Sequence, residues 1–186
     1  MVERELVERA IRGDHDAFTA LASASADRLF AVATLILRDR SAAEDAVQEA
    51  LVRAWRDLPK LRDPDRFGAW LHRLLQNACT DEARARGRHR AEIELLPAHE
   101  PAERDATSSV AERDALNRAF RRLSIDHRSA LVLRHYLGYS VPDIARAMSV
   151  PLGTGKSRLH HAERALRAAL EADSRAAGGG DRSWTA

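Results

Sequence analysis

The sequence contains a single cysteine, Cys79, among 186 residues. One thiol excludes an internal disulfide framework and a zinc site built from several cysteines, so nothing indicates an oxidising compartment. Aromatic residues are also scarce, at 5%, whereas alanine, leucine, arginine and glutamate dominate. Because strands favour aromatic and β-branched residues and helices favour these four, the composition predicts an all-α protein.

Long apolar runs and an N-terminal signal core are missing as well. The first residues, MVERELVERAIRGD, carry charges throughout, and no uninterrupted apolar run approaches the roughly 18 residues that span a bilayer. The sequence therefore predicts a cytoplasmic protein without membrane insertion.

Patterns of catalytic and metal-binding residues are absent too. None of the eight histidines is paired at i, i+4 spacing, and neither G-x-S-x-G nor H-E-x-x-H occurs. The triplet Gly155-Lys156-Ser157 matches the end of a phosphate-binding loop, but the earlier glycine of that motif is replaced by Val150 and no strand precedes it. We therefore predict no enzyme activity, no cofactor and no metal site.

Charge is distributed unevenly along the chain, although the formal net charge is only +2. Residues 66–90 contain six arginines and two acids, whereas residues 91–114 contain seven acids and two arginines. A basic helix is thus followed by an acidic connector. Clustered arginines suit a polyanionic partner, although a solvated helix face has the same composition.

Helical periodicity predicts four helices in the first half of the chain. We expect them at 3–11, from Asp14 or Asp16 to about Asp39, at 41–58 after a capping box of Ser41 and Glu44, and at 64–86. The predicted buried stripes of the last two are Val47, Leu51, Ala54, Trp55 and Leu58, then Phe67, Leu71, Leu74, Leu75 and Ala78. Asp45, Glu49, Val52 and Arg56 share the outer face of the third helix, which is either plain surface or a partner surface.

Residues 89–109 have no sustained period and carry Pro97 and Pro101, so we expect a flexible linker between a domain at 1–88 and a second at 110–175. In the second domain Val110 to Leu123 resumes the helical pattern, and Ser124 caps a helix that ends before Gly138. Residues 176–186 have the composition of a disordered tail.

The stretch from Ser140 to Leu170 predicts two helices joined by a tight turn. Ser140 caps the first helix, Pro151 and Gly153 stop it, and Thr154 caps the second. An apolar stripe of the second helix faces the core: Leu159, Ala162, Leu166, Ala169 and Leu170. The opposite face is polar and basic: Lys156, Ser157, His160, His161 and Arg164. Such a face is typical of a helix that enters the major groove, and an ordinary solvated helix shares it.

Two blocks of the chain contain distinctive motifs. The first is SAAEDAVQEALVRAWRDLPKLRDPDRFGAWLHRLLQNACTDEARAR, with the patterns E-D-A-V-Q-E and F-x-A-W-L. The second is LSIDHRSALVLRHYLGYSVPDIARAMSVPLGTGKSRLHHAERAL, with P-x-G-T-x-K-S-R-L. These blocks resemble regions 2 and 4 of the extracytoplasmic-function sigma factors. The resemblance implies two small helical domains, region 2 at 1–88 and a helix-turn-helix region 4 at 110–175, joined by a flexible linker.

The resemblance also implies a function, that of a bacterial initiation subunit without an active site. Such a protein would bind core RNA polymerase, at its β′ clamp and β subunits, and direct it to promoter DNA. It is expected to be a monomer when free and to have an anti-sigma factor as a partner.

By the same resemblance, three sets of residues have expected roles. The polymerase would be bound by Asp45, Gln48, Glu49 and Val52. The minus-ten element, with a base flipped out of the duplex, would be held by Lys60, Arg66, Arg73, Asn77 and Arg84. In the minus-thirty-five site Lys156, Ser157, His160 and His161 would lie near bases, Arg158 and Arg164 near phosphates, and Thr154 beside them.

One position departs from the family, which usually has an apolar residue where this chain has Gly155. Glycine costs about 1 kcal/mol of helix propensity relative to alanine. The sequence therefore predicts that Gly155→Val raises the melting temperature of an isolated region 4.

Two other functions fit the residues alone. A helix-turn-helix repressor would bind a palindromic operator as a dimer without polymerase. An interaction scaffold would use the basic helix only as solvated surface. A sigma factor binds core polymerase, whereas the repressor and the scaffold would not, so a core-binding experiment distinguishes these functions.

Overall fold

The computed structural model describes residues 2–93 and 108–178, and every regular element within these ranges is helical. The first unit contains α1 (Val2–Ile11), α2 (His15–Leu37), α3 (Arg40–Asp57), the 3₁₀ turns Leu58–Lys60 and Pro64–Arg66, and α4 (Phe67–Ile93). The second contains α5 (Ser108–Arg122), α6 (Ile125–Leu131), the π-helical turn Val132–Tyr136, α7 (Val141–Ala147) and α8 (Leu152–Gly178). The predicted all-α fold class is confirmed.

The first unit is a four-helix arrangement around one apolar core. Gly13 has a φ of 91°, which ends α1, and the Asp14 carboxylate accepts a hydrogen bond from the Ala17 N–H at 3.0 Å to begin α2. All five residues predicted as the buried stripe of α4 are buried: Phe67, Leu71, Leu74, Leu75 and Ala78. Helix α4 packs on both α2 and α3.

The start and the buried face of α3 differ from the sequence prediction. Its N-cap is Asp39, whose carboxylate accepts from the Ala42 N–H at 2.8 Å, instead of Ser41. Of the predicted stripe, Ala54 and Leu58 are buried and Val47 and Leu51 are half-buried, whereas Trp55 remains 36% exposed against Phe18 and His15. The other buried residues of α3 are alanines, at positions 42, 43, 46 and 50. Small side chains let α3 approach its neighbours closely, so the larger apolar residues lie at the edges of the contact.

The second unit contains the predicted helix-turn-helix. Ser140 caps α7, and its hydroxyl accepts from the Asp143 N–H at 3.4 Å. Helix α7 gives way to a turn in which Ser149 adopts a φ of 54°, and α8 then begins at Leu152, two residues before the predicted cap Thr154. Of the predicted apolar stripe, Leu159 and Ala162 are buried, and Leu166, Ala169 and Leu170 are half-buried.

The predicted effect of Gly155→Val is wrong. A Cβ at position 155 would lie 2.8 Å from the Cβ and 3.1 Å from the Cα of Ala145. Helices α7 and α8 cross there with backbone almost in contact, so any side chain would push them apart. The missing side chain leaves no cavity.

The two units are packed against each other. The side chain of Gln76 on α4 donates to the Ser129 hydroxyl on α6 at 2.9 Å, and both residues are buried. Nδ1 of His72 and the hydroxyl of Tyr139 are 2.7 Å apart, and Arg38 donates to Asn117 at 2.9 Å. Val132 of the second unit is part of the core of the first.

The helices that flank the predicted linker and tail are longer than expected. Helix α4 continues to Ile93, α5 begins at Ser108 and α8 continues to Gly178. The rest of the predicted linker and of the tail lies outside the described residues.

Among the described helices, α2 is long and apolar enough to cross a bilayer by length and composition alone. It contains Asp27 and Arg28, and its Leu21, Leu29 and Val32 pack in the core of the first unit. Core helices pass the same test, so this finding assigns no membrane span.

Candidate functional site

An open groove of about 520 Å³ runs between α3 and α4. Its lining includes all four residues that the sequence analysis assigned to polymerase binding: Asp45, Gln48, Glu49 and Val52. Alanines contribute to its lining, and the Val52 side chain on its wall is 55% exposed. An apolar residue this exposed, set among small side chains, offers a partner a place to bury apolar surface.

Carboxylates outnumber cations in this groove. Its lining contains Asp45, Glu49, Asp81 and Glu82 together with the cation Arg53, and Arg86 beside the lining lies 2.6 Å from Glu82 and 3.7 Å from Asp45. The Arg53 guanidinium joins the two walls, since it lies 2.6 Å from Glu49 on α3 and 3.0 Å from Asp81 on α4. Hydrogen bonding to Glu49 raises the pKa of Arg53. The groove therefore has a fixed geometry and an acidic rim that suits a basic partner surface.

The five residues predicted for the minus-ten element lie on or just before α4. Arg66, Arg73 and Arg84 are exposed, as is Lys60, and Asn77 is half-buried. Three of the cations contact nearby acids: Lys60 with Asp57 at 2.6 Å, Arg66 with Asp63 at 3.1 Å, and Arg84 with Asp81 at 3.9 Å. Lys60 and Arg56 lower the pKa of Asp57 to about 2. Exposed ion pairs contribute at most about 1 kcal/mol, so phosphates can replace these carboxylates at little cost.

Arg66 and Arg73 also line a cleft of about 420 Å³ between the two units. The α4 side of this cleft includes Trp70, and the α7 side includes Tyr139 and Arg146. The sequence analysis missed Trp70 and Arg146 as candidate binding residues. Arg66, Trp70 and Arg73 are spaced at i, i+4 and i+7, and this spacing was a sequence signal for one helical face. It places an aromatic ring between two cations. Such an arrangement can stack on a nucleobase and contact its phosphates.

The predicted reading face of α8 is exposed as expected. Lys156, Ser157, His160, His161 and Arg164 all face outward, while Leu159 and Ala162 are buried. The Ser157 hydroxyl donates to the carbonyl oxygen of half-buried Thr154 at 3.0 Å. The two histidine rings lie 5.8 Å apart, at different positions on the helix.

Arg158 differs from the other residues of this set. It is half-buried, and its guanidinium lies 3.2 Å from the Asp126 carboxylate on α6. This ion pair joins α8 to α6, so Arg158 helps to position α8. Within the described ranges no group of three or more histidine, cysteine or acidic residues could hold a metal ion.

Comparison with known proteins agrees with this arrangement. The family model Sigma-70 region 2 matches residues 21–89, and the model Sigma-70, region 4 matches residues 113–166. The chain is 34% identical over 166 residues to the ECF RNA polymerase sigma factor SigM of Mycobacterium tuberculosis, covering 88% of this chain and 82% of that protein. It is 30% identical over 181 residues to the RNA polymerase sigma-H factor of Pseudomonas aeruginosa, covering 91% and 94%.

A solved structure shows the same fold. The sigma factor RpoE from Bartonella quintana, in complex with the anti-sigma factor NepR, matches with a TM-score of 0.63 at 29% identity, covering 84% of this chain and 98% of that chain. The fold and the two matched regions define a transcription initiation factor of the sigma-70 class. Within that class, the chain belongs to the extracytoplasmic-function sigma factors of RNA polymerase. The predicted sigma-factor function is confirmed, and the repressor and scaffold interpretations are set aside.

Proposed function

We propose that the acidic groove between α3 and α4 is the surface that binds core RNA polymerase at its β′ clamp. The observation that carries this proposal is the grouping of Asp45, Gln48, Glu49 and Val52 in one groove. Carboxylates on the rim select a basic partner surface and accelerate association, while burial of Val52 provides apolar contact. The ion pairs of Arg53 hold the groove in shape before the partner arrives.

The basic side of α4 would hold the minus-ten element as a single strand. Extruding a base from a duplex costs a few kcal/mol, which stacking on an aromatic ring and contacts between cations and phosphates can offset. Trp70 supplies the ring, and Arg66 and Arg73 lie beside it. Lys60, Asn77 and Arg84 extend this surface along the helix.

The N-terminal part of α8 would read the minus-thirty-five element in the major groove. Lys156, Ser157, His160 and His161 are exposed there and can hydrogen-bond to base edges, and Arg164 can reach phosphate. The Thr154 carbonyl oxygen accepts a hydrogen bond from the Ser157 hydroxyl, and Arg158 acts through its ion pair with Asp126.

The chain would act without catalysis of its own, as a cytoplasmic monomer whose partners are core polymerase, promoter DNA and an anti-sigma factor. Support for the last partner comes from the Bartonella quintana relative, which was solved with its anti-sigma factor. Polymerase would supply the active site for RNA synthesis.

The test is transcription from total genomic DNA by purified core polymerase with and without the full chain, with mapping of the RNA 5′ ends. New start sites that share upstream sequence at two separated positions are expected. A chain that neither co-purifies with core polymerase nor produces new start sites contradicts the proposal.

A further inference from the structure

Three arginines meet at a junction of helices away from the sites described above. Arg38 caps the C-terminal end of α2 in the first unit, and Arg121 on α5 and Arg128 on α6 belong to the second. None of the three lines the acidic groove or the cleft beside Trp70, and none lies on α8. Their position therefore separates them from the surfaces proposed for polymerase and for promoter DNA.

The contacts of Arg38 bring these side chains together. Its guanidinium donates to Oδ1 of Asn117 on α5 at 2.9 Å. Asn117 and Arg121 are four residues apart, so they are neighbours on one face of α5. Arg128 lies on α6, which packs on α2. We call Arg121, Arg38 and Arg128 the arginine row, with Arg38 at its middle.

The charges of the arginine row act on one another. Burial lowers the pKa of Arg128, and the positive charge of Arg38 lowers it further. Burial likewise lowers the pKa of Arg38, and the positive charge of Arg121 adds to this effect. Both shifts follow from placing like charges together in partly buried surroundings.

No acid whose side chain the structure describes forms an ion pair with the arginine row, whereas neighbouring arginines have acidic partners. Arg118 and Arg122 on α5 share the Asp173 carboxylate, and Arg158 pairs with Asp126. Helix α5 therefore presents one face to an acid and another face to a cation. An anion placed among the three guanidinium groups would turn their mutual repulsion into attraction.

Buried hydrogen-bond donors lie at the same junction. Nε of Arg128 is buried and has no hydrogen-bond partner within the described ranges. In the same part of the chain, Oγ1 of Thr34, one turn before Arg38 on α2, is also buried without a partner. A hydroxyl and a guanidinium N–H both donate, so an acceptor suits this junction.

Arginine and phosphate match in charge and in shape. A guanidinium presents parallel N–H groups that a phosphate accepts two at a time, and it is more weakly hydrated than an ammonium group. Arg38 and Arg128 are half-buried and Arg121 is exposed, so the row opens to solvent at Arg121. One phosphate carries roughly −1.5 to −2 charges, which leaves part of the three positive charges unbalanced. Two linked phosphates match them better.

We propose that the arginine row is a binding site for a small anion with two linked phosphates, of the pyrophosphate or nucleoside-diphosphate kind. Arg121 and Arg128 contact one phosphate each, and Arg38 lies between them. Because the row combines residues of α2, α5 and α6, a bound anion contacts both units and stabilises the folded protein.

The test measures thermal melting of the full chain with sodium pyrophosphate, ADP or AMP, with sodium chloride added to keep the ionic strength constant. We expect pyrophosphate and ADP to raise the melting temperature progressively with concentration, and AMP to raise it much less. A larger effect of ADP than of pyrophosphate identifies the nucleotide as the ligand, and the reverse identifies the free diphosphate. An equal effect of AMP contradicts the requirement for two phosphates.

The variant Arg121→Gln removes the guanidinium at the exposed end of the row. We expect pyrophosphate to bind at least tenfold more weakly in isothermal titration calorimetry, because a charge-assisted contact is lost. Without the anion, the variant should melt at the same or a higher temperature than the wild type, because one like charge is removed. A merely structural role of Arg121 predicts a lower temperature and unchanged binding.

The matched control is Arg167→Gln, the same change at an exposed position of α8. It should bind pyrophosphate as the wild type does. Should Arg121→Gln fail to fold, Arg121→Lys replaces it. This variant keeps the charge but loses the planar fork, so weaker binding is again expected.

Three further results overturn the proposal. In the first, pyrophosphate raises the melting temperature no more than sodium chloride does at equal ionic strength. In the second, the variants at positions 121 and 167 weaken pyrophosphate binding equally, as the overall positive field of the protein would produce. In the third, random-sequence duplex DNA displaces pyrophosphate and itself binds more weakly to Arg121→Gln, which assigns the row to the DNA backbone.

Discussion

Gly155 and Ala145 mark the closest approach of the two helices of the helix-turn-helix, with room for a hydrogen atom and for nothing larger at position 155. We therefore expect Gly155→Ala to destabilise the protein by about 1–3 kcal/mol, since the helices must separate to admit a methyl group. Urea unfolding measures the effect. Recovery of stability in the double variant Gly155→Ala with Ala145→Gly would identify the crowded pair as the cause.

Gly153 provides the matched control, because a Cβ there would meet nothing within 4 Å and its φ is ordinary. Gly153→Ala should stabilise the protein by about 0.4–1 kcal/mol, because alanine has less conformational entropy than glycine in the unfolded chain. Equal effects at the two positions would mean that the contact with Ala145 is unimportant.

This pair shows what the sequence could and could not predict. Helical periodicity predicted the two units, the core residues of α4 and the exposed face of α8, because each depends on residues close in sequence. The distance between α7 and α8 depends on which small residues meet across a turn, and no periodicity contains that information. The hydrogen bond between Gln76 and Ser129, which are 53 positions apart, could not be predicted for the same reason.

The position of the candidate polymerase surface was predicted in part. The helical wheel of α3 grouped Asp45, Glu49 and Val52, and the resemblance to the family added Gln48; all four line one groove. Trp70 was missed although its spacing from Arg66 and Arg73 on one helix could have indicated it, whereas Arg146 lies on the opposite wall of the cleft and belongs to the other unit. Arg158 was assigned to phosphate by the resemblance, and its ion pair with Asp126 was not predicted because Asp126 lies on a different helix.

Val52 should contribute strongly to polymerase binding. Val52→Asp removes an exposed apolar contact and adds a charge to a groove that is already acidic, so we expect affinity for core polymerase to fall at least tenfold. Surface plasmon resonance with immobilised core enzyme measures it. Glu44→Ala, on α3 but outside the groove lining, serves as the control and should bind normally. Normal binding by Val52→Asp would remove the groove from the interface.

Asp45→Ala with Glu49→Ala should also weaken polymerase binding while leaving the fold intact. Both carboxylates are exposed, and Glu49 forms only a surface ion pair with Arg53, so stability should change by less than about 1 kcal/mol. Comparing the association rate at low and high salt tests the electrostatic part of the argument. An association rate equal to that of the wild type would contradict it.

Asp173 joins the end of α8 to α5. Its carboxylate is 94% buried, at 3.1 Å from Arg118 and 2.8 Å from Arg122. Asp173→Asn removes the charge that both guanidinium groups contact and should cost about 1–3 kcal/mol of unfolding free energy. Glu171→Gln, an exposed change of the same chemistry two residues earlier, should cost nothing measurable. Similar losses for the two variants would contradict a specific role of Asp173.

Stability should depend on pH through His72. Burial, with Arg28 nearby, lowers its pKa from 6.5 to about 4, and Tyr139 is its hydrogen-bond partner. The unfolded chain therefore binds the proton more readily than the folded protein. The contribution of His72 to the unfolding free energy is fully present above about pH 6.5 and is lost as the pH falls towards 4, by up to about 3 kcal/mol.

Urea unfolding of the wild type and of His72→Gln between about pH 7 and pH 4.5 measures this contribution. The variant should lose less stability over that window. Several carboxylates, including Asp14 and Asp39, have pKa values lowered below 3.8, so their effect lies at more acidic pH. Identical pH profiles for the two proteins would show that His72 does not titrate as described.

Cys79 should be inert in the folded protein. It is fully buried, and burial raises the pKa of its thiol to about 12, so the reactive thiolate is almost absent at neutral pH. Ellman's reagent should react only as fast as the protein unfolds. Rapid labelling of the native protein would show that α4 opens locally.

The alanines on the inner face of α3 have a consequence for how this protein can evolve. Helix α3 is held in place by side chains that cannot be shortened without becoming glycine, and enlarging them would separate it from its neighbours. Purifying selection is therefore expected on the inward positions. The outward carboxylates make no such packing contribution, so mutation there can change the proposed contact with polymerase while the backbone that presents them stays unchanged.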